Sequence, residues 1–313
     1  MIQQNKSTQA YAWLILVLLG ITWGSSFILM KKGLQIYSST EVGALRIVIS
    51  FLFLLPFALK RLKNVSRRIW FVLLLAGLLG NGAPAFLFAK AQTVIDSSVA
   101  GILNSLTPLF TVLVGIMAFK LKLRWFNFLG VGIGLAGATG LLAVSGSGDF
   151  TFKLSYAVYV IIATVFYATN VNIIKFWLKD IDPVGIVALS FMLIGLPVFI
   201  FLLGFTTFPE KVLNHPQALE GLGYVATLAI GGTALALMLF NKLLKMTDPV
   251  FASSVTYLIP VVAVVWGVID GESFGWSYSA WILMILSGII LVSSKHPSHL
   301  PLLGKLIRAF RRN

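Results

Sequence analysis

Residues 79–115, LGNGAPAFLFAKAQTVIDSSVAGILNSLTPLFTVLVG, decide how this chain is read, because they return 152 positions later, at 231–267, as GGTALALMLFNKLLKMTDPVFASSVTYLIPVVAVVWG. Gly80 aligns with Gly232, Phe88 with Phe240, Lys90 with Lys242, Asp96 with Asp248, Ala100 with Ala252, Pro108 with Pro260 and Gly115 with Gly267, without a gap. At an offset of 144 the earlier segments match too: Trp23, Ser25, Ser26 and Lys31 meet Tyr167, Thr169, Asn170 and Lys175. The chain therefore reads as a duplication, with one copy over 10–145 and the other over 153–293.

Composition says what each copy is made of. Hydrophobic residues are 58% of the 313 and charged residues 11%, whereas a soluble domain carries about a quarter charged. With a mean hydropathy of +0.94, a cytosolic enzyme, a disordered chain and a collagen-like chain are excluded. Crossing a hydrocarbon core takes roughly 20 apolar residues of helix. Ten stretches supply them, near 12–31, 42–60, 69–89, 97–118, 125–144, 154–174, 185–204, 221–243, 250–269 and 277–293. In lipid each backbone must satisfy its own hydrogen bonds, so all ten are read as helices.

The expected fold is an all-α membrane protein of ten transmembrane helices arranged as two inverted five-helix repeats. Inversion follows from the odd number of crossings per repeat, which makes the second copy enter the membrane from the other side. Such repeats are the architecture of alternating-access carriers.

The net charge of +14, from 24 Lys and Arg against 10 Asp and Glu, would suggest nucleic acid in a soluble protein. Here it reports orientation. Eighteen of the basic residues fall on the side of the N-terminus and five on the other, with Arg46 inside a helix; cytoplasmic loops hold the excess, so both termini are placed in the cytoplasm. The first segment, flanked by Lys6 alone and followed by no small-residue cleavage site, is read as a retained helix. Zero cysteines exclude disulfides and thiolate chemistry. In the tail, 295–313, Leu302, Leu303, Leu306, Ile307 and Phe310 share one helical face and Lys305, Arg308, Arg311 and Arg312 lie opposite. That pattern fits a cytoplasmic helix lying on anionic lipids, or a disordered basic tail.

Trp23-Gly24-Ser25-Ser26-Phe27, Arg46, and the Pro108 and Pro260 motifs resemble those of the EamA family of the drug/metabolite transporter superfamily, over roughly residues 10–293. The resemblance implies a permease of the bacterial cell inner membrane, ten helices around a central cavity, exporting or importing small metabolites. The second copy departs from the motif: Tyr167-Ala168-Thr169-Asn170 stands for Trp23-Gly24-Ser25-Ser26, and Ala188 or a neighbour for Arg46. The cavity should be chemically asymmetric.

Polar side chains at membrane depth are costly and mark the candidate cavity. They are Trp23 and Ser26 on helix one, beside Phe27 and Met30; Asn81 and Phe88 on helix three, with Gln92 beyond; and Asn104 and Thr107 on helix four, on a face shared by Ser97, Gly101, Pro108, Thr111 and Gly115. The second copy adds Tyr167 and Asn170 on helix six and Thr256 and Tyr257 on helix nine, near Ser253. Packing is the alternative for each. Pro108 and Pro260 each remove a backbone donor, as hinges or as static kinks. Lys90 and Lys242 are expected to snorkel to headgroups, with a gate or ion pair as the alternative. Arg46 could snorkel, which ranks first, close a gate with Glu41, or meet an anionic substrate.

All ten acids, and His215, His296 and His299, fall in loops or at helix ends. No buried relay is available for a proton, so gradient-following transport or exchange is expected, with end carboxylates such as Glu41, Asp96 and Asp248 near their ordinary pKa of about 4. Small residues on helix five, Gly130, Gly134 and Ala138 with Gly132, Ala136 and Gly140 beside them, favour packing within a monomer over a dimer.

No paired acids, Ser with His, or HExxH cluster occurs at membrane depth, so neither an enzyme nor a metal site is expected. No cofactor and no nucleic-acid partner is expected either. A channel-like facilitator would share the fold. The expected function is alternating-access transport, in the export direction, of a small neutral or zwitterionic metabolite such as an amino acid.

Overall fold

The computed structural model describes residues 6–62, 65–119, 125–144, 150–246, 255–272 and 274–293. The basic tail, Asp248 and Ser253 lie outside the described residues. Among those described there is no strand. In order the helices are α1 Lys6–Leu34, α2 Ser39–Leu59, α3 Arg67–Gly77 running through a π-helical segment Leu78–Gly82 into α4 Ala83–Ala91, α5 Ser97–Asn104, α6 Thr107–Phe119, and α7 Trp125–Val144. Then come α8 Phe150–Trp177, α9 Pro183–Gly204, the short α10 Phe208–Asn214, α11 Ala218–Ala229 running through a second π-segment Ile230–Leu235 into α12 Ala236–Met246, α13 Val255–Ile269 and α14 Trp276–Ser293.

Among the described residues, seven helices are long and apolar enough to cross a membrane: Ala10–Leu34, Ser39–Leu59, Arg67–Ala91, Ser97–Phe119, Lys153–Trp177, Pro183–Gly204 and Ala218–Leu243. Three shorter apolar helices, Leu129–Val144, Val255–Ile269 and Trp276–Leu291, accompany them. The chain is thus a multi-pass helical membrane protein. Leu14, Val17, Leu18 and Ile21 form one exposed stripe of α1 at three- and four-residue spacing, the face suited to lipid. On the opposite face Ala12, Ile15, Leu16 and Leu19 are buried.

Helix starts are written locally. Ser38 and Glu41 make a reciprocal capping box at α2, with Ser38 N donating to Glu41 Oε2 at 2.8 Å and Glu41 N to Ser38 Oγ at 3.2 Å. Asp182 caps α9 by accepting from Val184 N and Gly185 N, with Pro183 at the first helical position.

The two π-segments begin 152 positions apart, at Leu78 and Ile230, the same offset that aligns the copies in sequence. The packing pairs follow the same correspondence. α1 lies against α11, the second π-segment and α12, while α8 lies against the first π-segment and α4; α1 also packs on α13 and α8 on α6. α2 pairs with α9, α7 with α14, and α5 crosses α13. Small residues set the closest approaches: a Cβ at Gly101 would collide with Ala263, and one at Gly288 with the α7 backbone at Gly130 and Gly134. Of the small residues expected to pack, Gly130, Gly134 and Ala138 are buried, Gly130 and Gly134 against α14, whereas Gly132 and Ala136 on the neighbouring face are exposed.

The two prolines part company. Ahead of Pro108 the helix is broken at Ser105–Leu106, where Ser105 N and Leu106 N bond three residues back, to Ile102 O and Leu103 O, and Thr107 Oγ1 takes Asn104 O at 2.7 Å. Pro260 instead sits buried inside an unbroken α13. A three-residue turn advances the chain by about 20° more per residue than an α-turn. The stripe expected along one face of helix four is therefore split. Gly101 faces α13 and Phe27, whereas beyond the break Thr111 O accepts from Asn172 Nδ2 of α8 at 3.0 Å.

Candidate functional site

The site is built where α1 and α8 meet the π-segments. Trp23 meets Phe240 at a tilt of 55°, with ring centroids 5.2 Å apart, and Tyr167 stacks on Phe88, at 5.9 Å. These are equivalent pairs of the duplication. Gly232 leaves no room for a Cβ against Ser26 Oγ, and Gly80 leaves none against the Asn170 amide; these pairs are equivalent too. Phe27 meets Phe88 edge-on at 5.8 Å, so the rings of Phe27, Phe88 and Tyr167 form one chain through the bundle interior. Of the expected cavity residues, Trp23, Ser26, Phe88, Tyr167 and Asn170 come together here. Asn81 is half-buried in the first π-segment itself.

A π-turn widens the helix and frees backbone carbonyls. In the second segment Trp23 Nε1 donates to Gly232 O at 3.1 Å, and in the turn of α11 leading into it Ser50 Oγ donates to Ala229 O at 2.9 Å and Thr233 Oγ1 to Leu228 O at 3.3 Å. In the first segment, among the described residues, no side chain donates to a carbonyl of residues 78–82. Beside it Asn170 Oδ1 is buried with no hydrogen-bond partner, and the same holds for Asn104 Oδ1 and Gln92 Oε1. Gln92 is 7% exposed and spends its amide N–H on Phe27 O at 3.1 Å. Each buried acceptor left unmade costs about 1–3 kcal/mol.

Arg46 turns inward rather than snorkelling: its Nε donates to Thr233 Oγ1 of the second π-segment at 2.9 Å. It does not pair with Glu41 either. Glu41, 1% exposed, accepts from Lys211 Nζ at 2.7 Å and Thr207 Oγ1 at 2.8 Å. The sequence obscured this because Lys211 is 170 positions away.

That end of the bundle holds a second buried set. Lys31 pairs with Asp270 at 2.7 Å and Glu272 at 2.9 Å, and Lys32 with Asp270 at 2.5 Å. Glu272, its side chain 3% exposed, accepts from Ser97 N at 2.8 Å, Ser97 Oγ at 2.7 Å and Ser98 N at 3.0 Å. It thereby caps α5 from the far copy, while Asp96, at the cap position, makes no capping bond. A carboxylate at a helix N-terminus meets both free N–H groups and the positive end of the dipole.

Burial works against the Glu272 charge, but hydrogen bonds from Ser98, Ser97 and Lys31 outweigh it and hold the carboxyl below its usual range. Asp96 moves the other way: burial and then the Glu272 charge push it up, against Lys31 and Lys153. The expectation that end carboxylates keep ordinary pKa values because water reaches them is therefore corrected. These groups are at helix ends yet buried by their partners.

The opposite end differs. Arg61 meets Asp182 at 3.0 Å with side chains 31% and 49% exposed, and such exposed pairs contribute about 0–1 kcal/mol. Lys242 Nζ there donates to Tyr11 Oη at 3.1 Å, and at the Glu41 end Lys90 stands 5.8 Å from the Tyr156 ring; both lysines are exposed. Thr256 and Tyr257 are half-buried on α13, where Tyr257 packs against the core cluster that holds Phe27 and Phe88, and Thr107 bonds back to Asn104 O. Sequence reasoning passed over Glu272, Lys211, Ser50 and Asn172, whose partners all lie on distant elements. No group of acids and histidines able to hold a metal occurs among the described residues.

Helices of this length around buried, partnerless polar groups define a polytopic membrane protein with a polar interior. The chain belongs to the EamA-like transporter family, whose profile matches residues 10–143 and 154–294, once on each copy. It is 26% identical over 282 residues to the uncharacterized inner membrane transporter YedA of Escherichia coli (strain K12), covering 87% of each chain. It is 23% identical to an uncharacterized transporter of Archaeoglobus fulgidus, covering 90% of this chain and 99% of that one. A solved crystal structure superposes with a TM-score of 0.63 at 17% identity, over 90% of this chain and 96% of the other; that likeness concerns the fold. Family and relatives indicate a transporter rather than an enzyme.

Proposed function

We propose that the protein is an alternating-access carrier of ten transmembrane helices in two inverted repeats, exporting a small neutral or zwitterionic metabolite such as an amino acid across the bacterial inner membrane. The observation that carries this reading is the contrast between a sealed end and an unsatisfied interior. At the Glu41 end, Glu272 on Ser97 and Ser98, Lys31 on Asp270 and Lys211 on Glu41 tie the two copies together. Inside, among the described residues, the amide oxygens of Gln92, Asn104 and Asn170 are buried with no partner. The equivalent π-segments and the crossed packing of α1 and α8 support inversion, because each copy then offers its third helix to the first helix of the other.

With both termini cytoplasmic, the Glu41 end is periplasmic and the described conformation is closed on that side. Domain limits follow the repeats, 10–145 and 153–293, and the tail from 295 rests on anionic lipid. The protein acts as a monomer on its small-molecule substrate, without a cofactor. Substrate counterflow in proteoliposomes tests the reading: a carrier saturates and is stimulated by substrate on the far side, over a panel of unlabelled metabolites. A flux linear in concentration and indifferent to trans substrate would make the protein a channel and overturn it.

A further inference from the structure

We propose that Arg46 binds the carboxylate of an α-amino-acid-like zwitterion whose ammonium group is taken by the side-chain oxygen of Asn170. This deepens the carrier reading and rests on it. Arg46 lies about two turns inside α2, and only its Nε is engaged, by Thr233 Oγ1 at 2.9 Å. Among the described residues its remaining guanidinium N–H groups have neither hydrogen-bond nor ion-pair partner, since Glu41 is committed to Lys211. A lone cation within a span is expensive and is retained where something pairs with it. The guanidinium fork matches a carboxylate bidentately. Thr233 fixes the fork's direction, and its own hydroxyl hydrogen is spent on Leu228 O.

The other pole offers a free acceptor. The partnerless oxygen of Asn170 can take a hydrogen, and an ammonium group brings three. The two poles share one region. α2 lies against both π-segments, and Gly43, one turn before Arg46, abuts Phe86 of α4. Asn170 abuts Gly80 of the first π-segment on the same run of helix. On the same helices as Gly80 and Asn170, the stacked rings of Phe88 and Tyr167 supply apolar surface for a side chain. A cation would meet Arg46 with like charge, and a neutral solute would leave it unpaired.

The test is counterflow of labelled leucine into proteoliposomes, competed by leucine, by leucinamide, which lacks the carboxylate, and by N-acetylleucine, which lacks the ammonium. Wild type should prefer leucine over each analogue by about tenfold or more. Arg46→Gln should abolish the preference over leucinamide and keep that over N-acetylleucine, and Asn170→Leu should do the reverse. Thr233→Val, which keeps the charge and loses its orientation, should weaken leucine against leucinamide by a smaller factor, even if Arg46→Gln does not fold. Equal competition by all three compounds in wild type, or an equal loss for all three in these variants, overturns the assignment. Exchange of other solutes but of no amino acid overturns it while the carrier reading stands. Counterflow of no solute at all overturns the carrier reading as well.

Discussion

The first and second π-segments occupy equivalent places in the duplication and are finished differently. Around Ile230–Leu235, Ser50, Trp23 and Thr233 take up the carbonyls of Ala229, Gly232 and Leu228, and Arg46 rests on Thr233. Around Leu78–Gly82, among the described residues, no side chain donates to a carbonyl of the segment, although Ser190 Oγ donates to Leu73 O upstream in α3 at 3.0 Å, and Asn170 stands there with a partnerless oxygen. One segment is a closed joint and the other an open one, although the duplication supplied the same backbone to both. The divergence includes Thr233 where the first copy has Asn81, and it shows in two further pairs. Trp23 carries an N–H that Tyr167 lacks at that place, and Ser26 is a short hydroxyl where Asn170 carries an amide.

If that distinction holds, disturbing the open segment should cost transport and disturbing the closed one should cost stability. The largest effect is expected from Asn170→Leu, which removes an unsatisfied acceptor: transport should fall tenfold or more while the melting temperature holds or rises. Joint loss of both, measured on one preparation, would return Asn170 to packing. Next, Trp23→Phe keeps the ring on Phe240 but strips Gly232 O of its donor, so unfolding should become easier by about 1–3 kcal/mol. A denaturant series in detergent reads that number, and an unchanged midpoint breaks the contrast.

Gly80→Ala against Gly232→Ala is a finer probe. The first displaces a whole amide and the second only a rotatable hydroxyl, so transport should drop several-fold more in Gly80→Ala. The smallest effect is confined to acid pH and asks whether end closure is independent of either segment. Glu272 has a depressed pKa, so its stabilisation is present above the ordinary carboxylate value of about 4 and is lost as pH falls below it. Glu272→Gln should flatten that acid limb of the melting curve without altering the contrast between the two glycine variants. Asp96, pushed upward, acts with opposite sign, and Asp96→Asn should steepen the same limb.

The duplication, the apolar helices and the equivalence of Trp23 with Tyr167 were legible in the sequence, because side-chain identity at fixed spacing carries them. The π-segments were not, since one extra residue in a turn leaves no periodic trace; the glycines at Gly80, Gly82, Gly231 and Gly232 were the only hint. Glu41 reads in sequence as a loop acid near Arg46, and only the fold brings Lys211 to it. The same is true of Glu272, whose role depends on α5 starting where the α13–α14 turn ends. Pro108 and Pro260 look alike in sequence, yet Ser105 and Thr107 bond back to the backbone on one side and the chain there breaks.

The α7–α14 contact has a consequence for how this chain can vary. Gly137 and Gly140 meet Ile285 and Trp281 with no space for a methyl group, and Gly288 meets backbone, which cannot step aside. Gly132, on the same helix, has nothing within 4 Å of where a Cβ would sit. In a saturation library selected for surviving protein, substitutions should accumulate freely at Gly132 and be purged at Gly288, and the glycines of one helix would then drift at different speeds.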